Sequence, residues 1–329
     1  MSHDAPLIEV IKPGLATSVQ DRGRQGHYHL GIPPSGALDQ FALAAANLLV
    51  GNAEDAAVLE CTLLGPTLRF ERAALIAVTG ATMVPKIDGQ AQACNTALAV
   101  PAGATLSFDF VQAGARACLA IAGGIDVPEV LGSRSTYTLG AIGGLEGRRL
   151  QPGDRLRVGP PRRRVRAGLA LAGELAAPCP KEQVLRVLPG LYDHRLAPES
   201  AASFYEDSWT VTSEADRIGY RYKKGRPLRF QPREQPFGAG ADPSNIVDAC
   251  YPIGSIQVPA GVEPIILHRD AVSGGGYAMI GTVISADLDK VGQMQPNQQA
   301  RFERVSMEAA LQARKDYRAR LERLRAALG

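Results

Sequence analysis

Short β-type runs, cut at close intervals by glycine, proline and aspartate, recur along almost the whole of this 329-residue chain. Branched and aromatic residues gather at 7–11, 67–70, 75–79, 105–110, 117–122, 155–158, 184–188, 209–212, 255–258, 264–268, 279–284 and 300–305. Each run suits a strand, because branched side chains fit a pleated surface and the turn formers stop it. So many closely spaced strands argue against a parallel sheet alternating with helices and predict barrels or sandwiches. The expected fold class is mainly β with a few helices (α+β).

Two segments break the β pattern. Residues 37–50 put Leu38, Phe41, Ala45 and Leu48 on one face, follow Ser35 as an N-cap and stop at Gly51-Asn52. Residues 306–328 start at Ser306 and place Leu311, Tyr317, Leu321, Leu324 and Leu328 on one stripe. The opposite face carries Arg314, Lys315, Arg318, Arg320, Arg323 and Arg325 and is read as a solvated surface, with a partner-docking helix as the other reading. The length suits about two domains of ~100–200 residues. Gly159-Pro-Pro-Arg-Arg-Arg-Val-Arg166 and the small residues after it have linker composition. The expected organisation is a β-rich lobe over 1–160, a linker over 161–182, and a barrel lobe with a terminal helix over 183–329.

Several function classes lose support at once. With 45% hydrophobic and 21% charged residues, each half can bury a core. A net charge of +3 without a basic stripe interleaved with aromatics argues against nucleic acid. Cys61, Cys94, Cys118, Cys179 and Cys250 include no C-x-x-C pair and read as buried free thiols in a reducing compartment. The N-terminal residues lack the basic and apolar regions of a signal peptide, and no window nears the ~20 apolar residues of a membrane span. A cytoplasmic location, with no membrane contact, is expected. His27 and His29 have no Cys, Asp or Glu nearby at ligand spacing, so no metal is expected. Neither a Walker A loop, a G-x-S-x-G elbow nor G-x-G-x-x-G is present.

Four polar clusters carry the chemistry. Gln20-Asp21-Arg22-Gly23-Arg24, followed by Ser35-Gly36-Ala37-Leu38-Asp39, is either a clamp for an anion or amide, or an Asp–Arg loop staple. Asp39 falls in a first helical turn, where the dipole favours a carboxylate; in a cleft it could act as a base. Ser133-Arg134-Ser135-Thr136 surrounds an arginine with hydroxyls, suited to an anionic or ureido group or simply to a serine-rich turn. Gln257 sits in a β-branched strand, costly unless its amide is paired or faces a cavity. The apolar strand ending in His268-Arg269-Asp270, then Gly274-Gly275-Gly276-Tyr277, lets backbone approach a ligand closely or forms a glycine-rich hairpin.

In sequence order these clusters form a pattern. Gln20-Asp21-x-Gly23-Arg24, Ser35-Gly36-Ala37-x-Asp39, Gly123-Gly124-x-Asp126-Val127-Pro128, Gly132-Ser133-x-Ser135-Thr136, Gly143-Gly144-x-x-Gly147-Arg148, Asp216-Arg217-x-Gly219-Tyr220-Arg221, Ile256-Gln257-Val258-Pro259 and Gly275-Gly276-Tyr277 resemble the family of the 5-oxoprolinase C-type subunit. That family, also called allophanate hydrolase subunit two, recurs in the carboxyltransferase region of urea carboxylase. The resemblance spans about 10–311. It implies two cyclophilin-like β-barrel lobes that form a composite enzyme with a B-type sister subunit, resembling allophanate hydrolase subunit one. That pair would work in an assembly with an A-type subunit, or with a biotin carboxylase and biotinyl carrier. The implied chemistry is ATP-dependent lactam opening, or carboxyl transfer from carboxybiotin to an amide or ureido nitrogen. No covalently bound cofactor is expected on this chain; carboxybiotin would come from a partner, and ATP would be used by the complex. A regulatory protein that pairs with its sister to control a sensor kinase is the alternative function.

The fourth cluster departs from the family pattern. Relatives usually carry Asp-x-Gln-Thr-Thr-Gly-Gly-Tyr-Pro, where this chain has Asp270-Ala-Val-Ser273-Gly274-Gly275-Gly276-Tyr277-Ala278. The fold carries over; the substrate does not. On this basis Asp39, Gln257 and Asp270 are the expected catalytic groups. The binding set is Gln20, Asp21, Arg22, Ser133, Arg134, Ser135, Thr136, Arg269, Gly274, Gly275, Gly276 and Tyr277, with Arg22, Arg134 and Arg269 as anion clamps and the glycines and Tyr277 as a backbone platform.

Overall fold

Side-chain alternation decides the layering of the N-terminal strands. In Thr67–Phe70, Leu68 and Phe70 are buried while Arg69 between them is exposed, and Leu156 is buried between exposed Arg155 and Arg157. A period of two with one apolar face requires that face to be covered, here by another sheet. The computed structural model describes residues 7–177, 179–272 and 274–328, so Ser273 of the glycine loop lies outside it. By contacts the chain divides into one unit of residues up to Arg24, Ser35–Cys179 and from Ala319 on, and a second of Gln25–Pro34 and Pro180–Arg318.

The first unit contains β1 (Leu7–Lys12), β2 (Ala16–Gln20), α1 (Gln40–Leu49), β3 (Val58–Thr62), β4 (Thr67–Phe70), β5 (Ala74–Thr82), β6 (Pro85–Ile87), β7 (Gln90–Ala91), β8 (Ala97–Val100), β9 (Thr105–Phe108), β10 (Ala113–Ile121) and β11 (Arg155–Arg157). They form a six-stranded sheet ordered β11-β1-β4-β9-β6-β7 and a five-stranded sheet ordered β2-β3-β10-β5-β8. Ile8, Val10, Leu68, Phe70 and Leu106 from the first meet Val19, Leu59, Ile76, Val78 and Leu119 from the second in one core. Each such side chain contributes ~1.5–3 kcal/mol on full burial. β10 is buried on both faces from Gly114 to Ile121, because α1 packs on the second sheet, where Thr79 Oγ1 donates to Ala42 O at 2.7 Å.

α1 begins later than the sequence suggests. Ser35 and Gly36 both take left-handed backbone (φ 53° and 90°), a turn that no right-handed helix can contain. The N-cap is therefore Asp39, whose carboxylate accepts from Ala42 N at 2.7 Å. The expected stop holds: Gly51 is left-handed and its N–H donates to Leu48 O. Residues 163–171 are pinned to the first unit by Arg163 N to Gly51 O, Gly168 N to Ala97 O and Leu171 N to Asn95 O.

The second unit closes on itself. Its elements are β12 (Glu182–Pro189), α2 (Pro198–Glu206), β13 (Trp209–Val211), β14 (Gly219–Lys223), β15 (Asn245–Cys250), β16 (Ser255–Gln257), β17 (Ile265–Leu267), β18 (Gly274–Tyr277), β19 (Met279–Val283), α3 (Leu288–Gly292) and β20 (Gln299–Arg304), with α4 (Met307–Leu328) starting in this unit and ending in the first. Seven strands form a closed barrel ordered β12-β19-β16-β17-β14-β13-β20, shut by parallel pairing of β12 with β20 from Glu182↔Gln299 to Val187↔Arg304. Trp209, Tyr220, Tyr222, Phe204 and Phe302 fill it, Phe204 stacking on Phe302 at 4.5 Å. Their polar tips are satisfied: Trp209 Nε1 donates to Phe204 O and Tyr220 Oη to Gly292 O, both at 3.1 Å. β15 and β18 form a separate two-stranded ribbon.

All twelve expected β runs fall on strands, and with four α-helices among the described residues the mainly-β class holds. On α4, Ser306 Oγ accepts from Ala309 N as expected of a cap, but the buried stripe starts at Ala313, leaving Leu311 half exposed. The thiols correct the sequence reading in part. Cys61 and Cys118 are buried, Cys94 and Cys179 are half-buried, and Cys250 is exposed on the ribbon. Among the described residues no helix is long and apolar enough to cross a membrane, and no three His, Cys, Asp or Glu side chains gather as a metal site.

Candidate active site

The expected site residues fall into two groups, one in each unit. Asp39, Gln20, Asp21, Arg22, Ser133, Arg134, Ser135 and Thr136 belong to the first, and Gln257, Arg269, Asp270, Gly274, Gly275, Gly276 and Tyr277 to the second.

In the first unit Asp21 organises the serine loop. Its Oδ1 accepts from Gly23 N at 2.7 Å, Ser133 Oγ at 2.6 Å and Ser135 Oγ at 2.5 Å, and its Oδ2 accepts from Arg134 N at 2.5 Å. A carboxylate that accepts four such bonds is fully engaged in holding two loops more than a hundred residues apart. Gln20 is likewise buried, its Nε2 donating to Ser18 Oγ and Thr136 O while Oε1 accepts from Gly36 N. Thr136 Oγ1 donates to Val19 O. Arg22 is exposed and pairs with Glu54 at 2.7 Å, and Arg134 pairs with Glu129 while its Nε donates to Val127 O. Arg325 also pairs with Glu54, and these two arginines hold the Glu54 carboxyl below its usual range, with the Arg325 hydrogen bond the largest cause.

Arg24, part of the first polar cluster but not of the expected binding set, also belongs to this group. It is buried, and its guanidinium donates to Ser135 O. Gly143 lies so close that a Cβ there would sit 2.2 Å from Ser135 O and 2.6 Å from Arg24 Nη2. The glycines of the Gly143-Gly144 motif thus give way to the serine loop and its arginine. Beside them lies an open cleft of about 550 Å³ whose lining includes Asp126, Val127, Gly143, Gly144, Arg155 and Arg157.

In the second unit, strand pairing assembles a smaller constellation. β16 lies between β17 and β19, with Gln257 opposite Ile265 and Met279. β17 leads into His268, Arg269 and Asp270, and β18 follows. Asp270 is buried and gripped by Arg217, Nε to Oδ2 at 2.8 Å and Nη2 to Oδ1 at 3.1 Å. His268 Nδ1 accepts from Arg269 N at 2.9 Å, which leaves the ring proton on Nε2, 3.3 Å from Leu288 O. Tyr28 lies near enough for the Arg269 charge to act on its phenol, which burial nonetheless pushes up. Tyr277 is 39% exposed, and its carbonyl accepts from Tyr251 Oη at 2.9 Å.

Gln257 carries the chemical interest. It is 7% exposed, and its Nε2 has no hydrogen-bond partner among the described residues. A Cβ on Gly275 would lie 2.6 Å from that nitrogen. None of Gly274, Gly275 and Gly276 has positive φ, so Gly275 serves close approach and not a special backbone angle. A buried amide donor without a partner costs ~1–3 kcal/mol. Such a donor, beside a glycine backbone, suits a ligand carbonyl or carboxylate oxygen.

The sequence pattern includes Asp216-Arg217-x-Gly219 but does not mark Arg217 as a site residue; nothing local reveals a partner 53 residues away. A catalytic thiol finds no support at Cys61, whose thiol burial pushes up to about 12, so that it stays protonated at neutral pH.

Residues 30–304 match the family described as carboxyltransferase domain, subdomain A and B. The chain is 37% identical over 322 residues to the 5-oxoprolinase C subunit of Escherichia coli, covering 97% of each chain. It is 35% identical to urea amidolyase of Lachancea kluyveri, over 96% of this chain and 18% of that one. The crystal structure of the K. lactis urea amidolyase superposes with a TM-score of 0.89 at 34% identity, covering 98% of this chain and 20% of that chain. The chain thus matches the 5-oxoprolinase relative over nearly its whole length and spans about a fifth of the urea amidolyases. By its sequence and its fold, it belongs to the carboxyltransferase domain, subdomain A and B, family.

Proposed function

We propose that the chain is one component of a multi-subunit enzyme that acts on an amide, lactam or ureido group, of the ATP-dependent 5-oxoprolinase or biotin-dependent carboxyltransferase type. The observation that carries this reading is the unpartnered Gln257 Nε2, buried against Gly275. Its N–H can hold a substrate carbonyl oxygen, or the carboxylate of a group to be transferred, in a place where water competes poorly. Arg217 fixes the Asp270 carboxylate so that it can accept from a substrate N–H. Arg269 supplies positive charge at the same loop.

Carboxybiotin presented by a partner would supply a carboxyl group for transfer, and the Gln257 Nε2 donor could hold its ureido oxygen or its carboxylate. ATP, with no glycine-rich phosphate loop in this sequence to hold it, would be consumed elsewhere in the complex. The partners in this reading are a B-type sister subunit, with an A-type subunit or a biotin carboxylase and its carrier. The relatives named above are enzymes or enzyme subunits by name, so the sensor-kinase alternative is set aside.

The test is co-purification with the product of the adjacent gene, followed by ATPase assays against lactams, ureas and amides. Substrate-dependent ATP consumption that needs this chain is the expected result. If no compound raises ATP consumption and no biotinylated partner binds, the proposal fails.

A further inference from the structure

Arg195 and Arg233, which are not among the residues assigned above, form an unusual arrangement. The segments that carry them are stitched together. Leu196 and Phe230 form a β-bridge, Gln231 N donates to Arg195 O at 2.8 Å, and Gln231 Nε2 donates to Leu196 O at 3.0 Å. Arg195 lies over the Tyr192 ring at 4.1 Å, and Tyr192 N is fastened to Met279 O at 3.1 Å. Both guanidiniums have a buried Nη1 with no hydrogen-bond partner, and neither pairs with a carboxylate among the described residues. Burial, and then the charge of Arg233, hold the Arg195 guanidinium below its usual range.

A chain seldom leaves a buried Nη1 without a partner on each of two arginines carried by segments that are stitched together. An unpaired buried N–H is costly, more so when charged, and the like charges repel. A bound anion removes both penalties together, and the planar forks of two arginines match the oxygens of a carboxylate or a phosphate.

We propose that Arg195 and Arg233, walled by Tyr192, form an oxyanion-binding site of this protein. The site does not depend on the reaction proposed above. It adjoins that constellation through Tyr251, whose hydroxyl holds the Tyr277 carbonyl and on whose phenol Arg195 and Tyr192 both act. The oxyanion is either free phosphate or the carboxylate of a small organic acid, and the two are separated by experiment.

The test is thermal denaturation of the full chain titrated with sodium phosphate or sodium acetate, ionic strength being held constant with sodium chloride. The expected result is a saturable rise in melting temperature with at least one of the two oxyanions, above that with chloride. The Arg233→Gln variant should show at least tenfold weaker apparent affinity, and Arg195→Gln the same. Stronger stabilisation by phosphate identifies a phosphate site, and stronger stabilisation by acetate a carboxylate site. Should Arg195→Gln fail to fold, Arg233→Gln, whose side chain makes no aromatic contact among the described residues, decides the matter. Identical curves for both oxyanions and chloride, or an unchanged saturable response in a folded Arg233→Gln, overturns the proposal.

Discussion

Arg217 grips Asp270 through two parallel hydrogen bonds at 2.8 and 3.1 Å, with the two side chains only 16% and 6% exposed. Backbone bonds reinforce the pair, since Asp270 N donates to Arg217 O and His268 N to Ile218 O. Breaking a buried pair from one side leaves an uncompensated charge and costs roughly 3–5 kcal/mol. Asp270→Asn is therefore expected to lower the urea midpoint strongly as well as turnover. Replacing both residues, as Arg217→Met with Asp270→Leu, should recover much of the stability and none of the turnover. Equal stability of the single variant and wild type would show that the pair holds nothing together.

Gln257→Met separates function from stability. It keeps the volume and removes an unpartnered buried donor, so the melting temperature should hold or rise. Turnover of the assembled enzyme should fall by about tenfold or more, as the loss of one transition-state hydrogen bond entails. A variant with full turnover would remove Gln257 from the site.

Gly275→Ala tests the close approach. The added Cβ would meet the flexible end of Gln257 at 2.6 Å, so the amide should swing aside at small cost in stability while activity falls. Gly123→Ala is the contrast. There a Cβ would meet Gly159 O at 1.8 Å at a position of φ +102°, and the urea midpoint should drop sharply.

Asp39 has two readings that one pair of variants distinguishes. Asp39→Ala removes the cap of α1 and should cost ~0.5–2 kcal/mol, whereas Asp39→Ser keeps a capping oxygen. If the carboxylate serves only the helix, Asp39→Ser will be as stable and as active as wild type. A loss of turnover in Asp39→Ser at unchanged stability assigns the carboxylate to the reaction.

Acid should unlock the barrel seam at Asp287. Burial pushes this carboxyl up, but hydrogen bonds from Arg186 and Lys290 more than reverse the effect and hold it below the ordinary aspartate range. A depressed folded-state value means that the contribution is present above the unfolded value of ~3.9 and is lost as pH falls through the lower, folded one. Urea midpoints measured from pH 7 downward should fall more steeply below about pH 4 in wild type than in Asp287→Asn. Parallel curves would show that the pairs contribute nothing pH-dependent.

The strands show how far local pattern reaches. β4, with Leu68 and Phe70 alternating against Arg69, is legible because one buried face and one wet face leave a mark of period two. β14 carries the same mark in Tyr220 and Tyr222, yet it is not among the expected strand runs, its apolar run being interrupted by Gly, Arg and Lys. β3 is hidden by Glu60, a buried carboxylate that accepts from Leu38 N at 2.7 Å and lies 3.9 Å from buried Arg116. A polar residue inside a strand makes sense only once its partner is known, and here the partners lie 22 and 56 positions away.

By itself the amino-acid sequence determined twelve of the strand segments, the stop of α1 at Gly51 and the family, because these rest on residue type and short spacing. Tertiary structure alone decided that Asp21 collects Ser133, Arg134 and Ser135, that Arg217 finds Asp270, and that β12 meets β20 in parallel to shut the barrel. It also decided that 25–34 sits with the second unit and the end of α4 with the first. These are long-range pairings, each requiring distant backbone to be brought together before any hydrogen bond can form, and no short window of sequence records them. The same reason separates the two amides: Gln20 and Gln257 look alike in sequence, and only the folded chain surrounds one with partners while leaving the other's nitrogen without any among the described residues.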